Sequence, residues 1–175
     1  MKGVSTLAIV LVVVVAVVAG AAVGFLLLKN NEPEPDAYFE FDVSGSYYGA
    51  TFSGSMKISM YDVDEDQYKV KYDYSVFMNY NGTRERVPIP NTTQMMDKNS
   101  GTDDEWGTFQ RTTSIVTRGY GTQFVDVYSQ DEDGSTMTAY VGESDGIVYR
   151  MEMKVTSGDV RGMTLTFDLK NYGPQ

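Results

Sequence analysis

The chain has 175 residues, 24 acidic against 14 basic, a formal net charge of −10, no cysteine and no histidine. Without cysteine there are no disulfides, no thiol chemistry and no thiolate metal site; without histidine there are no imidazole triads, no His-bound zinc and no ordinary near-neutral general base. The acid excess disfavours nucleic acid and anionic lipid headgroups as partners through bulk charge.

Residues 1–3 precede an uncharged run, residues 4–28. At ~1.5 Å per residue it reaches ~37 Å as a helix, more than the ~30 Å of a bilayer's hydrocarbon core. In lipid the backbone must satisfy its own hydrogen bonds, so helix prevails over the β preference of the many valines. A removable export signal has a shorter apolar region. Cleavage at Ala19-Gly20-Ala21 would leave the apolar stretch from Ala22 to Leu28 on the mature protein. The run is therefore read as an uncleaved anchor, and the membrane as a partner. Lys2 before it and the acids Glu32, Glu34 and Asp36 after it favour a cytoplasmic amino terminus. The rest is expected outside the cytoplasm. Ala16, Gly20 and Gly24 form a row of small residues that would let two such helices approach and self-associate. Ordinary glycine and alanine content in a span explains the row more simply.

Residues 29–37 form a Pro-containing acidic linker in which Pro33 and Pro35 stop the helix. Lys2 and Lys29 are the only charged side chains before Asn30, so residues 30–175 carry 24 acids against 12 bases. From residue 38 the apolar period becomes two, the period of half-buried strands. Phe39, Phe41 and Val43 begin it, then Phe52, Met56, Ile58 and Met60, then Tyr68 through Met78. Tyr80-Asn81-Gly82-Thr83 reads as a tight hairpin, because Asn-Gly suits the two positive-φ positions of a type I′ turn. Residues 84–89 would return, limited by Pro88 and Pro90, and residues 97–105 read as a loop. Residues 108–117, 122–128, 136–141, 147–155 and 163–169 complete the series. The last two have inward sets Ile147, Tyr149, Met151, Met153, Val155 and Met163, Leu165, Phe167, Leu169. Residues 38–175 are thus expected to be a mostly β domain, an antiparallel meander of about eight or nine strands. Half-barrel, sandwich and open barrel all fit the pattern. It is expected to fold alone as a monomer.

Candidate sites are few. Tyr68, Tyr72, Tyr74 and Met78 repeat on one strand face and, with Met151, could line a surface for a lipid or another apolar ligand; the same pattern also describes a core wall. Asp62, Asp64 and Asp66 begin like a calcium loop, but Gln67 stands where its glycine belongs. An acidic hairpin turn explains them as well. Asn81 and Asn91 head glycosylation sequons. S-x-x-K does not occur, no histidine is present to activate a serine, and paired carboxylates are the route to hydrolysis left open. No cofactor is expected.

Two resemblances add to this. "MKGVSTLAIVLVVVVAVVAG" resembles the start of archaeal pilin-like proteins, which implies an apolar helix packed in a filament. "DGIVYRMEMKVTSGDVRGMTLTFDLKNYG", residues 145–173, resembles the closing strands of lipoprotein-carrier-like half-barrels, as does "YGTQFVDVYSQDEDGSTMTAYVGESDG" before it. That resemblance implies a curved antiparallel sheet sheltering acyl chains. Together these readings suggest a membrane-anchored, non-catalytic domain that binds or carries an apolar ligand. The alternatives are a structural or adhesive surface protein and, third, a carboxylate-based hydrolase.

Overall fold

The computed structural model describes residues 35–63, 67–97, 107–132 and 134–174. The expected anchor and its small-residue row, Ala16, Gly20 and Gly24, lie outside these residues. None of the described residues is helical. They form ten antiparallel strands: β1 (Ala37–Tyr47), β2 (Ala50–Asp62), β3 (Gln67–Tyr80), β4 (Thr83–Arg86), β5 (Thr92–Asp97), β6 (Thr108–Thr117), β7 (Gly121–Glu132), β8 (Ser135–Gly142), β9 (Val148–Val155) and β10 (Thr164–Pro174). All belong to one open sheet in the order β4-β3-β2-β1-β10-β9-β8-β7-β6, with β5 also on β3. The sandwich alternative is therefore set aside.

Local chemistry places the turns. At the Tyr80–Thr83 pair, Asn81 and Gly82 take φ of 51° and 77°, the positive pair a type I′ hairpin needs. Tyr48 and Gly49 do the same between β1 and β2, with φ of 41° and 80°. A tyrosine in this region is uncommon; its ring meets that of Tyr47 edge-on at 4.7 Å. The strand beyond the expected number is β5. Phe77 to Tyr80 pair with β4, and Gln67 to Tyr72 pair with β5, so two short strands share the outer side of one long one. Pro88 and Pro90 lack the N–H of a ladder, which ends β4 early. Between them and β4, Val87 turns into the core, its N–H bonded to the Val76 carbonyl at 2.8 Å.

Directly opposed residues in a ladder share a face. One face carries Phe52, Val43, Phe167 and Met151 on successive strands, all buried. The expected inward residues from Tyr149 to Val155 and Met163 to Leu169 are buried with them. Register shifts at Glu40/Phe41, Tyr140/Val141 and Phe109/Arg111 break the ladders, and such irregularities bend and twist a sheet. The β6–β7 hairpin is thereby carried back toward the middle of the sheet. Tyr120, at its tip, lies against Tyr149 of β9 and Tyr172 of β10, centroids 5.8 and 5.5 Å away, and Arg118 reaches Asp42 of β1 at 3.8 Å.

Candidate functional site

The residues suggested for a ligand face are brought together, inside the core. Tyr72, Tyr74 and Met78 of β3 and Met151 of β9 are each less than a tenth exposed and belong to one apolar cluster; Tyr68 is partly buried against it. The tyrosine hydroxyls are not idle. Gln94 donates from Nε2 to the Tyr72 hydroxyl at 2.9 Å. Burial, with Tyr72 beside it, pushes the Tyr74 phenol well above its ordinary value. Asn91 exposes its side chain but accepts from the Tyr74 backbone N–H at 3.2 Å, while Asn81 is exposed on its turn. Of the three alternate aspartates, Asp64 and Asp66 lie outside the described residues, and the Asp62 backbone N–H bonds to Asp36 at 2.6 Å. Among the described residues no three carboxylates converge as a metal site.

Beyond β8 the core cluster takes in Val125 and Val127 of β7, and the alternate side of that strand carries Phe124 and Tyr128. On β6 the partners on that side are Phe109, Thr112 and Ser114, with Val116 next along. Here the face is open: Phe109 is 54% exposed, Phe124 68% and Val116 74%. Phe109 and Tyr128 hold each other edge to face at 5.8 Å. The stripe has one charge, Asp126, which accepts from Thr112 Oγ1 at 2.7 Å. Sequence pattern hides it, because "FVDVY" is apolar on both faces of the strand. Val125 and Val127, on the other side, are the buried pair, at 0% and 2% exposure.

The face of the sheet that carries Asp42 and Asp168 is polar and internally paired on β1, β9 and β10. Asp42 opposes Asp168 in the ladder. Arg118 lies 3.8 Å from Asp42, and Arg150 Nε donates to Asp168 at 2.5 Å. The Tyr140 hydroxyl donates to Glu152 at 3.0 Å, and burial first, then the Glu152 charge, raises its pKa. The two facing carboxylates are half-exposed, and each is matched by a guanidinium. Two open grooves cross this face. One of about 270 Å³ is lined by Glu40, Lys57, Asp73 and Lys170 among others; the second, of about 410 Å³, is lined mainly by threonines of β8 to β10.

No protein-family model matches the chain, and no curated protein does. Among solved structures the chain is similar to a Vibrio parahaemolyticus domain identified provisionally as an outer membrane lipoprotein-sorting protein. The TM-score is 0.29 and the identity 10%, over 83% of this chain and 87% of that one. At that score and identity the similarity is a distant one.

Proposed function

We propose that the chain is a membrane-tethered, non-catalytic β domain, displayed outside the cytoplasm, that binds an apolar ligand on the exposed apolar side of its β6–β7 hairpin. The observation that supports this is the gathering of Phe109, Val116 and Phe124 on the solvent-facing side of the β6–β7 hairpin. Large exposed apolar side chains gathered on one face mark binding sites more often than isolated ones do. Asp126 is the one charge of that stripe, so the ligand is an acyl or similarly apolar group with a neutral or cationic head. An acidic headgroup is disfavoured.

The test uses the full chain and a fluorescent lipid with a zwitterionic head. Wild type takes up the probe, Phe124→Glu binds it at least tenfold more weakly, and Tyr48→Ser, at a distant turn, binds it unchanged. Equal uptake by Phe124→Glu and wild type would sink the site. A second reading is a structural or adhesive surface component. It is favoured by the burial of Tyr72, Tyr74, Met78 and Met151, which commits the tyrosine face of β3 to the core. Uptake of no probe by the wild type, with a folded spectrum, would select this reading. Protease added to intact cells should remove the β domain; protection would place it in the cytoplasm.

A further inference from the structure

The two ends of the sheet are guarded unequally. At one end, β3 is covered by β4 and β5, four and six residues long. All four residues of β4, Thr-Arg-Glu-Arg, are exposed, and three carry charge. Pro88 and Pro90 come directly after it. Short strands, charge and proline are the devices that keep a sheet edge from pairing further. At the other end, β6 is ten residues long and, among the described residues, pairs only with β7. It has no proline and no glycine, and Arg111 is its only charge. From Thr112 to Thr117 it is uncharged and rich in β-branched residues, and its outer N–H and C=O groups form a template for another strand.

We propose that β6 pairs antiparallel with β6 of a second copy, giving a closed dimer with one continuous sheet. The expectation of a monomer is set aside with it. The bulge between Phe109 and Arg111 interrupts the alternation, so the regular stretch is residues 111–117. A two-fold axis at Ser114 sets Arg111 against Thr117, Thr112 against Val116 and Thr113 against Ile115. No like charges meet, which would weaken the pairing. This is the argument for a second copy over a foreign strand: a strand chosen by charge would need matching charges, and residues 112–117 offer none. Closure comes from the guarded opposite end. Among the described strands each molecule has one open edge, so the dimer consumes both and growth stops at two. An axis perpendicular to the sheet keeps faces on their own side, so Val116 and Phe124 of both copies join one apolar surface. The pairing is independent of the ligand reading. Each copy carries a net charge of −10, so screening by salt should strengthen association, whereas capture of a basic partner would weaken.

The chain has no cysteine, so one introduced thiol reports one place. In the full chain in detergent, Ser114→Cys treated with a short bis-maleimide should cross-link to a dimer, while Ser53→Cys, exposed on β2, should not. Ser114→Lys should weaken the dimer roughly fivefold or more, by light scattering after size exclusion. At a dilution where both are monomeric its thermal midpoint should equal that of the wild type, which separates lost pairing from lost folding. The proposal is overturned by equal cross-linking at both thiols, or by a dimer that survives Ser114→Lys; either would assign self-association elsewhere, such as the apolar amino-terminal run. A ladder of higher oligomers, a wild type monomeric at every salt concentration, or cross-linking to a different polypeptide would overturn it as well.

Discussion

Phe167 stands between Val43 on one neighbouring strand and Met151 on the other, and is 1% exposed. Removing a buried phenylalanine side chain costs ~3–5 kcal/mol, against a whole-domain stability of ~5–15 kcal/mol. Phe167→Ala should therefore lower the denaturant midpoint severely, while Thr166→Ala, on the polar face, should barely move it; equal effects would mean the strand is turned over. Gly54 is as demanding for another reason. A Cβ there would overlap the Ser75 carbonyl oxygen and lie 2.7 Å from the Val76 Cα, both backbone of β3. Gly54→Ala is expected to cost at least the ~1–3 kcal/mol typical of overpacking, read as a fallen melting temperature. The tyrosines give a pH signature. Burial, and for Tyr149 also its 2.7 Å hydrogen bond to Asp145, raises the phenol pKa of Tyr74 and Tyr149 from the ordinary 10.0. The folded state then holds these protons more tightly than the unfolded one. Stability from this source is complete below pH 10 and falls as pH rises beyond it. Tyrosinate absorbance from these two should rise together with loss of β signal; full ionisation of every tyrosine in a still-folded protein would refute their burial. At this scale the sequence was legible where one face alternates cleanly, as from Met163 to Leu169. It was not where both faces are apolar, as at Val125 and Val127, whose burial depends on what the curled hairpin brings over them.

The β6–β7 hairpin is fixed both by the β7–β8 ladder and by contacts at its tip. Tyr120 supplies apolar area against Tyr149 and Tyr172. Arg118 supplies an ion pair through a side chain 89% exposed, and exposed pairs contribute little. Tyr120→Ala should speed amide hydrogen exchange throughout β6 and β7 while leaving β1 to β3 protected; Arg118→Ala should leave exchange near wild type. Comparable acceleration by both would reverse the ranking. Element boundaries were legible where turn chemistry is local, as at Asn81-Gly82. β5 escaped because "TTQMMD" lacks a run of alternating apolar residues. It becomes a strand because β4 ends early and leaves half the edge of β3 unpaired.

The described residues form a single antiparallel sheet, and residues 36–175 expressed alone should show a β-type circular dichroism spectrum; a helical one would contradict the fold. Strand number and sense were close to legible, since both derive from period and short turns. Strand order was not. The β1–β10 pairing joins segments far apart in sequence, and no local pattern announces it. That pairing has a consequence for how the chain is made. β1 to β4 and β6 to β10 are each a run of hairpins between neighbours in sequence, with β5 returning to β3, and all can form as they are synthesised. The seam between them sets Phe41 beside Leu169 and Val43 beside Phe167. β1 is synthesised first, yet its second neighbour is β10, made after all the other strands. For the whole interval the inner side of β1 is an unpaired edge beside whatever holds the chain's amino-terminal run. A stall or cleavage before residue 164 would leave a half-sheet with an open seam in place of a shortened domain. Intact chains should accordingly resist protease within β1 and β10, and chains lacking β10 should be degraded back through β1.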